Sequence, residues 1–409
     1  MNRLRAFILL VIMTLSLGAS EAVRPYYGAA PGALGFAQRR LQEGDATLQS
    51  AYKKLLTDAD KALEVTPPSV VEKKKIPPSG NVHDYQSLAP YFWPDPTKPQ
   101  GLPYLRRDGE VNPECRQLDA SDVERLRLVG SNVEVLGLAY YFSHDEKYAA
   151  HAARFLRTWF LDAKTCMTPH LAYAQAVLGV NEGRGTGILD GLSLAQAIDA
   201  AVLLSGSKAW TPADQTALDA WAGAYFTWLT TSSAGQEEGA AKNNHGTWYD
   251  VQKVRLALAL GRTEVAQKTL QEALAKRLPV QVEIDGRQPL ELARTTSFHY
   301  SCFNLKAWTE LAVFGEYVQV DVWHYHTADG RHLRQALEFL LPYVGSHPKP
   351  WPYPQIHAMK PEDLFWSLRR GSQVWAAPAY EKLLEELAGK TAKRLPLLVP
   401  LGLPTEPSR

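Results

Sequence analysis

Two short segments of this chain concentrate groups that can move protons beside a carboxylate. Lys242-Asn243-Asn244-His245-Gly246-Thr247-Trp248-Tyr249 and, some fifty residues later, Arg294-Thr295-Thr296-Ser297-Phe298-His299-Tyr300 supply an amide, an imidazole, a guanidinium and a phenol. In a uronic acid the C5 proton lies α to a carboxylate, and the carbanion left by its removal is tolerable only if the carboxylate charge is neutralised. Asn244 and Arg294 suit that task. A base must take the C5 proton and an acid must protonate the departing glycosidic oxygen, for which Tyr300 and His245 are the candidates. The chemistry these types fit together is β-elimination in an acidic polysaccharide.

Each residue also has an ordinary use. Asn-His at a helix start serves as a cap with a surface imidazole, an arginine in a loop serves as an ion-pair partner, and Tyr300 opens an apolar helical stretch through Phe303, Leu305, Trp308 and Leu311. The set stands out by its company. From Asn243 to Asp250 the chain is polar and aromatic where a buried helix would be aliphatic.

Four ordered motifs resemble the alginate lyase family, in particular its all-helical toroid members that act on alginate and glucuronan. They are HDYQSLAPYFWPDP (83–96), YAQAVLGVNEGRGTGILD (173–190), NNHGTWYD (243–250) and DGRQPLELARTTSFHYS (285–301). The resemblance implies that Asn244 and Arg294 hold the carboxylate and that Tyr300 acts as acid and often also as base. It implies that His245 assists, or is the base for one epimer. Tyr85, Trp93 and Trp248 are candidate walls for sugar rings, which stack on aromatic faces. Arg184 offers a second carboxylate contact. Asn243, Tyr173, Gln175 and His299 complete the candidate substrate contacts, and no cofactor is required.

The elements that must position these groups are helical hairpins. Leu126, Val129, Val133, Leu136 and Tyr140 recur at helical spacing; after a break at Ser143-His144-Asp145, Tyr148, Ala152, Phe155 and Trp159 resume it. The pattern repeats over 194–204, from the Thr211-Pro212 helix start through Trp228, over 248–258 and 265–278, and again over 301–314, 333–341, 364–367 and 380–387. Only Val280 to Ile284 with Asp285-Gly286 reads as a strand and turn. No fixed period is present, which argues against a solenoid. The expectation is an all-α fold: an incomplete (α/α) toroid, or barrel of helical hairpins, with a small β-hairpin. The aromatic, proline-rich stretch 91–99 is expected to form a loop over the cleft rim.

At 409 residues, 45% apolar and 21% charged, the chain is long enough for a large core. A formal charge of +1 without a basic stripe argues against nucleic acid as a partner. The expected partner is an anionic uronic-acid polysaccharide, with any attraction confined to a groove. Residues 1–22 read as a secretory signal: Arg3 and Arg5, an apolar run over 6–17, then small residues. That predicts a periplasmic or secreted protein without stable membrane association, with 23–409 as one catalytic domain. No second apolar span stands out. Of the three cysteines, Cys115 and Cys166 lie in proline-containing loops and are the expected disulfide pair, with Cys302 a core thiol.

Metal and nucleotide chemistry find little support. His324-Tyr325-His326 lacks carboxylate or cysteine companions. Gly183-Arg184-Gly185-Thr186-Gly187 lacks the strand and the lysine of a phosphate loop, and its glycines are read as letting backbone approach the substrate. Two rival classes remain. A toroid glycoside hydrolase would need a carboxyl pair, with Glu182, Asp190 or Asp250 on offer. The other rival is a non-catalytic protein that binds acidic polysaccharide.

Overall fold

The computed structural model describes residues 24–388 and 394–404; the expected signal segment lies outside them. The fold is an α/α toroid. Helices α1 (Ala33–Gln42), α2 (Ala46–Leu63), α3 (Val123–Ser143), α4 (Glu146–Leu156), α5 (Leu192–Ala200) and α6 (Pro212–Thr231) are followed by α7 (Ser233–Ala240), α8 (Asn244–Ala259) and α9 (Thr263–Lys276). One-turn helices α10 (Leu278–Gln281) and α11 (Pro289–Leu292) lead into α12 (Ser297–Val318). Then come α13 (Leu333–Leu340), α14 (Phe365–Val374), α15 (Pro378–Ala388) and α16 (Leu395–Leu398).

The inner ring is α3, α5, α8 and α12. α3 packs on α5, α5 on α8 and α8 on α12, while α4, α6, α9 and α14 cover them from outside. The inner helices are apolar or small around most of their circumference, as wrapped helices must be. α12, for example, buries Leu305, Trp308, Leu311, Ala312 and Phe314 on successive turns. The stretch 185–204 is as apolar as a membrane span, with mean hydropathy 1.5, but two thirds of it is buried as part of this ring.

A short N-terminal segment seals the gap between α3 and α12. Tyr26 Oη donates to Glu134 on α3 at 2.5 Å, and Tyr317 Oη on α12 donates to the carbonyls of Tyr26 and Ala29 at 3.2 and 3.0 Å. One apolar core runs from Tyr26 to Leu403.

Strands are few. β1 (Gln86–Leu88) pairs in parallel with β4 (Tyr173–Ala176), and β2 (Phe92–Trp93) pairs antiparallel with β3 (Leu105–Arg106). This second pair is the base of an arm that reaches the cleft. The strand expected at 280–284 does not form: Val280 and Gln281 end α10 and 282–284 are loop, because Gln281 is needed inside the ring. It accepts from Thr247 Oγ1, Asn304 Nδ2 and Trp308 Nε1, and its own amide caps the carbonyls of Lys242 and Asn243.

The expected disulfide is absent. Cys115, Cys166 and Cys302 are all free. Cys115 is buried in the 3-10 turn Pro113–Arg116, whereas Cys166 sits partly exposed in a loop folded onto its own turn through Asp162.

Candidate active site

All four inner helices begin at one cavity of about 820 Å³, lined by Val123 and Arg127 of α3, Leu192 and Ser193 of α5, Asn244 and His245 of α8, and His299 and Tyr300 of α12. Arg294 joins them from the segment between α11 and α12. The two segments singled out in the sequence therefore converge.

His245 sits in the first turn of α8, whose start is fixed from three directions. Asn243 caps it by accepting from the His245 N–H. Arg277 ties the preceding turn down by donating to the carbonyls of Gly239 and Ala241 while pairing with Asp250. Gly246 is obligatory there, since a Cβ would come within 2.1 Å of both the Ala241 carbonyl and the Arg277 guanidinium. The imidazole Nδ1 lies 2.6 Å from Glu238 Oε1, a carboxylate with 2% of its surface exposed. A carboxylate can only accept, so Nδ1 carries the proton and Nε2 is left as the basic nitrogen.

Arg294 donates Nε and Nη2 to the two Asp108 oxygens at 3.0 and 2.6 Å, and Nη2 also to Tyr300 Oη at 2.7 Å. Burial alone would raise the Asp108 carboxyl, but bonds and charge from Arg294, with bonds from Thr295, hold it well below the usual carboxylate range. Tyr300 in turn donates to Tyr91 Oη at 2.8 Å. Burial pushes the Tyr300 phenol far above its ordinary value, Tyr91 adds to the rise, and Arg294 reverses only part of it. The expected lowering of that phenol by Arg294 is thus outweighed by desolvation, and the resting phenol is protonated.

Asn244 is fully buried, its N and Nδ2 donating to Glu291 Oε1 and Oε2 at 2.7 and 2.6 Å. Arg184 donates Nε and Nη2 to the carbonyl and side-chain oxygens of Gln175 at 3.1 and 3.0 Å and lies over Phe92. Among the described residues it has no carboxylate within ion-pair distance. Gln175, with φ 51°, also reaches Asp190 through Nε2 at 3.2 Å.

The model of the alginate lyase family matches residues 69–351, more than half of the chain. The chain belongs to the alginate lyase family. It is a polysaccharide lyase by that membership. An alginate lyase from Bacteroides ovatus is 43% identical over 93% of this chain and 100% of its own, with TM-score 0.87. Alginate lyase A1-III from Sphingomonas species A1 shares the fold at 17% identity, covering 93% of this chain and 97% of its own, with TM-score 0.57. A variant of A1-III complexed with a tetrasaccharide aligns with TM-score 0.54 at 17% identity, over 88% and 91% of the two chains. Against curated protein sequences the chain finds no match.

Of the contacts expected in this alginate lyase family member, Asn243, Asn244, His245, Gln175, Arg184, Arg294, His299 and Tyr300 line the cavity. Four do not. Tyr85 is wholly buried, its hydroxyl donating to Asp190 at 3.0 Å, and Trp248 is buried against Phe303 with ring centroids 4.7 Å apart. Trp93 belongs to the arm, with Nε1 on the Glu110 carbonyl and Arg107 over its ring. Tyr173 pairs with β1 outside the cavity.

The glycines near Arg184 serve packing rather than substrate: a Cβ at Gly187 would lie 2.4 Å from the Ala174 carbonyl. The carboxyls offered for a hydrolase are otherwise engaged or displaced. Asp190 accepts from Tyr85, Ser87 and Gln175, Asp250 pairs with Arg277, and Glu182 is exposed. Sequence reasoning missed Tyr91, Asp108, Glu238 and Glu291. Tyr91 and Glu291 lay inside recognised motifs; Asp108 and Glu238 carried no local signal.

Proposed function

We propose that the enzyme cleaves a 1,4-linked polyuronate, alginate rich in mannuronate or glucuronan, and leaves an unsaturated uronyl group at the new non-reducing end. The leader read over 1–22 would deliver it to the periplasm or the exterior. The reading rests on one observation: the Glu238-oriented imidazole of His245 and the Arg294-bound phenol of Tyr300 share a single cavity. That the solved relatives are alginate lyases, one of them complexed with a tetrasaccharide, supports the same substrate class.

In this mechanism the uronate carboxylate is held by Asn244 and by Arg294, whose Nη1 has no partner among the described residues. The C5 proton leaves to a base, the electron pair forms the C4–C5 double bond, the C4–O4 bond breaks, and O4 is protonated. Guluronate has its C5 proton on the face opposite the leaving oxygen. There His245 Nε2 takes the proton and the Tyr300 phenol supplies O4. Mannuronate and glucuronate place both on one face, where Tyr300 enters as phenolate, takes the C5 proton and returns it to O4. Arg184, a half-buried cation without an acidic partner among the described residues, is assigned the carboxylate of a neighbouring sugar.

The test is a panel of polymannuronate, polyguluronate, glucuronan and hyaluronan, read by the ultraviolet absorbance of the conjugated product. New reducing ends without that absorbance would mean hydrolysis, and retention without cleavage a binding protein. Either result overturns the proposal.

A further inference from the structure

The Asn244 amide faces the wrong way for its task. Its N–H groups are spent on Glu291, and its Oδ1 is buried with no hydrogen-bond partner among the described residues. The only amide atom left for a ligand is therefore an acceptor, which repels a carboxylate. An ionised Glu291 enforces this orientation, because both its oxygens can only accept and both are in use. It also places a second negative charge beside the site of an incoming uronate, and two carboxylates that share a site do not both stay ionised at little cost.

We propose that Glu291 takes up one proton from solvent when a uronate carboxylate binds, and that this frees the Asn244 amide to turn its NH2 group onto the substrate. The inference rests on the polyuronate reading above. Once protonated, Glu291 donates its O–H to Asn244 Oδ1 and keeps accepting from the Asn244 backbone N–H. A half-turn of the amide then satisfies the orphaned oxygen and aims Nδ2 at the carboxylate, where charge grows as C5 loses its proton. The proton returns to solvent when product leaves.

The surroundings poise Glu291 for this exchange. It is 1% exposed, and burial raises its carboxyl, opposed by the two Asn244 bonds and by the charge of Arg294. The Arg294 cation, with the Asn244 bonds from α8, is what favours its ionised form at rest. On α12, which packs against α11, Tyr300 engages Arg294. An anion that occupies Arg294 weakens that support and lets burial prevail.

Tyr300→Phe protein, which cannot complete the reaction, is titrated with a mannuronate tetramer by calorimetry in buffers of different ionisation enthalpy. About one proton should be taken up per oligomer bound, with affinity falling by up to tenfold per pH unit above neutrality. Adding Glu291→Gln should abolish the uptake and flatten the affinity profile. No uptake by Tyr300→Phe, or undiminished uptake by the double variant, overturns the proposal. If Glu291→Gln does not fold, difference infrared spectra of Tyr300→Phe carrying isotope-labelled glutamate decide. A protonated-carboxyl band that appears on binding and shifts with the label supports the proposal, and absence of such a band overturns it. A chain that neither cuts nor binds any polyuronate sinks the lyase reading too, whereas cleavage without proton uptake sinks this inference alone.

Discussion

The guanidinium of Arg294 lies over the ring of Tyr300, 3.7 Å from its centroid, while its Nη2 reaches the hydroxyl of the same residue at 2.7 Å. Arg294 is also bound through two nitrogens to Asp108. It is thus a fixed strut under the phenol, with Nε and Nη2 committed and only Nη1 left over. Its planar fork matters as much as its charge.

Removing only the proton carrier from this assembly should leave the fold intact. Tyr300→Phe keeps the ring on the guanidinium and is expected to lower kcat by about two to four orders of magnitude. Steady-state rates on each cleavable polymer check it, with thermal unfolding as a control. Near-normal turnover would remove Tyr300 from the chemistry.

Arg294→Lys keeps a charge but cannot span Asp108 and Tyr300 together, so kcat should fall by at least about tenfold despite the conservative change. Asp108→Ala releases the same strut from its other end. The two losses should be strongly non-additive in a double variant, as expected for residues in one network. Simple additivity of the rate effects would show that Asp108 does not act through Arg294.

His245→Gln can still hydrogen-bond but cannot accept a proton at neutral pH. On substrates the wild type cuts, guluronate linkages should suffer far more than mannuronate or glucuronate linkages. Glu238→Gln should follow the same ratio more weakly, because it frees the imidazole tautomer without removing the base. An equal loss on both substrate types would reassign His245 to holding the carboxylate or orienting Tyr300.

The raised Tyr300 phenol sets a direction for pH dependence. Below its pKa the phenolate fraction grows about tenfold per pH unit, so mannuronate cleavage, which starts from phenolate, should climb through the alkaline range until the enzyme unfolds. A profile that peaks near neutrality and then falls in still-folded protein would rule out phenolate as the base.

With all three cysteines free, a reducing agent should leave Tm unchanged. Thiol titration of unfolded protein should find three groups per chain. A lower count would reveal a bridge.

Much of this was legible beforehand because its signals are local. The hairpins over 126–159, 194–228 and 248–278 follow from apolar spacing, and Asn244, His245, Arg294 and Tyr300 are unusual residue types for their surroundings. Helix α2 carried a readable stripe in Leu48, Ala51, Leu55, Ala59 and Ala62 that went unread. Val280 to Ile284 misled because β-branched alternation is a weak cue that tertiary demands on Gln281 override. Glu238, Asp108 and Glu291 were silent for another reason. An acid is commonplace in sequence, and these gain meaning only from partners 7, 186 and 47 residues away.

All four inner helices start at the cavity. The first turn of a helix presents unpaired backbone N–H groups and the positive end of its dipole, equivalent to about half an elementary charge. The main chain therefore adds a positive contribution at the floor of the cleft, in a protein whose formal charge is only +1. Such a field does not titrate, and no side-chain substitution removes it. It decays within about a turn, so a polyanion feels it only once inside. The enzyme can retain an acidic chain at depth without a basic exterior that would attract every other polyanion in its surroundings.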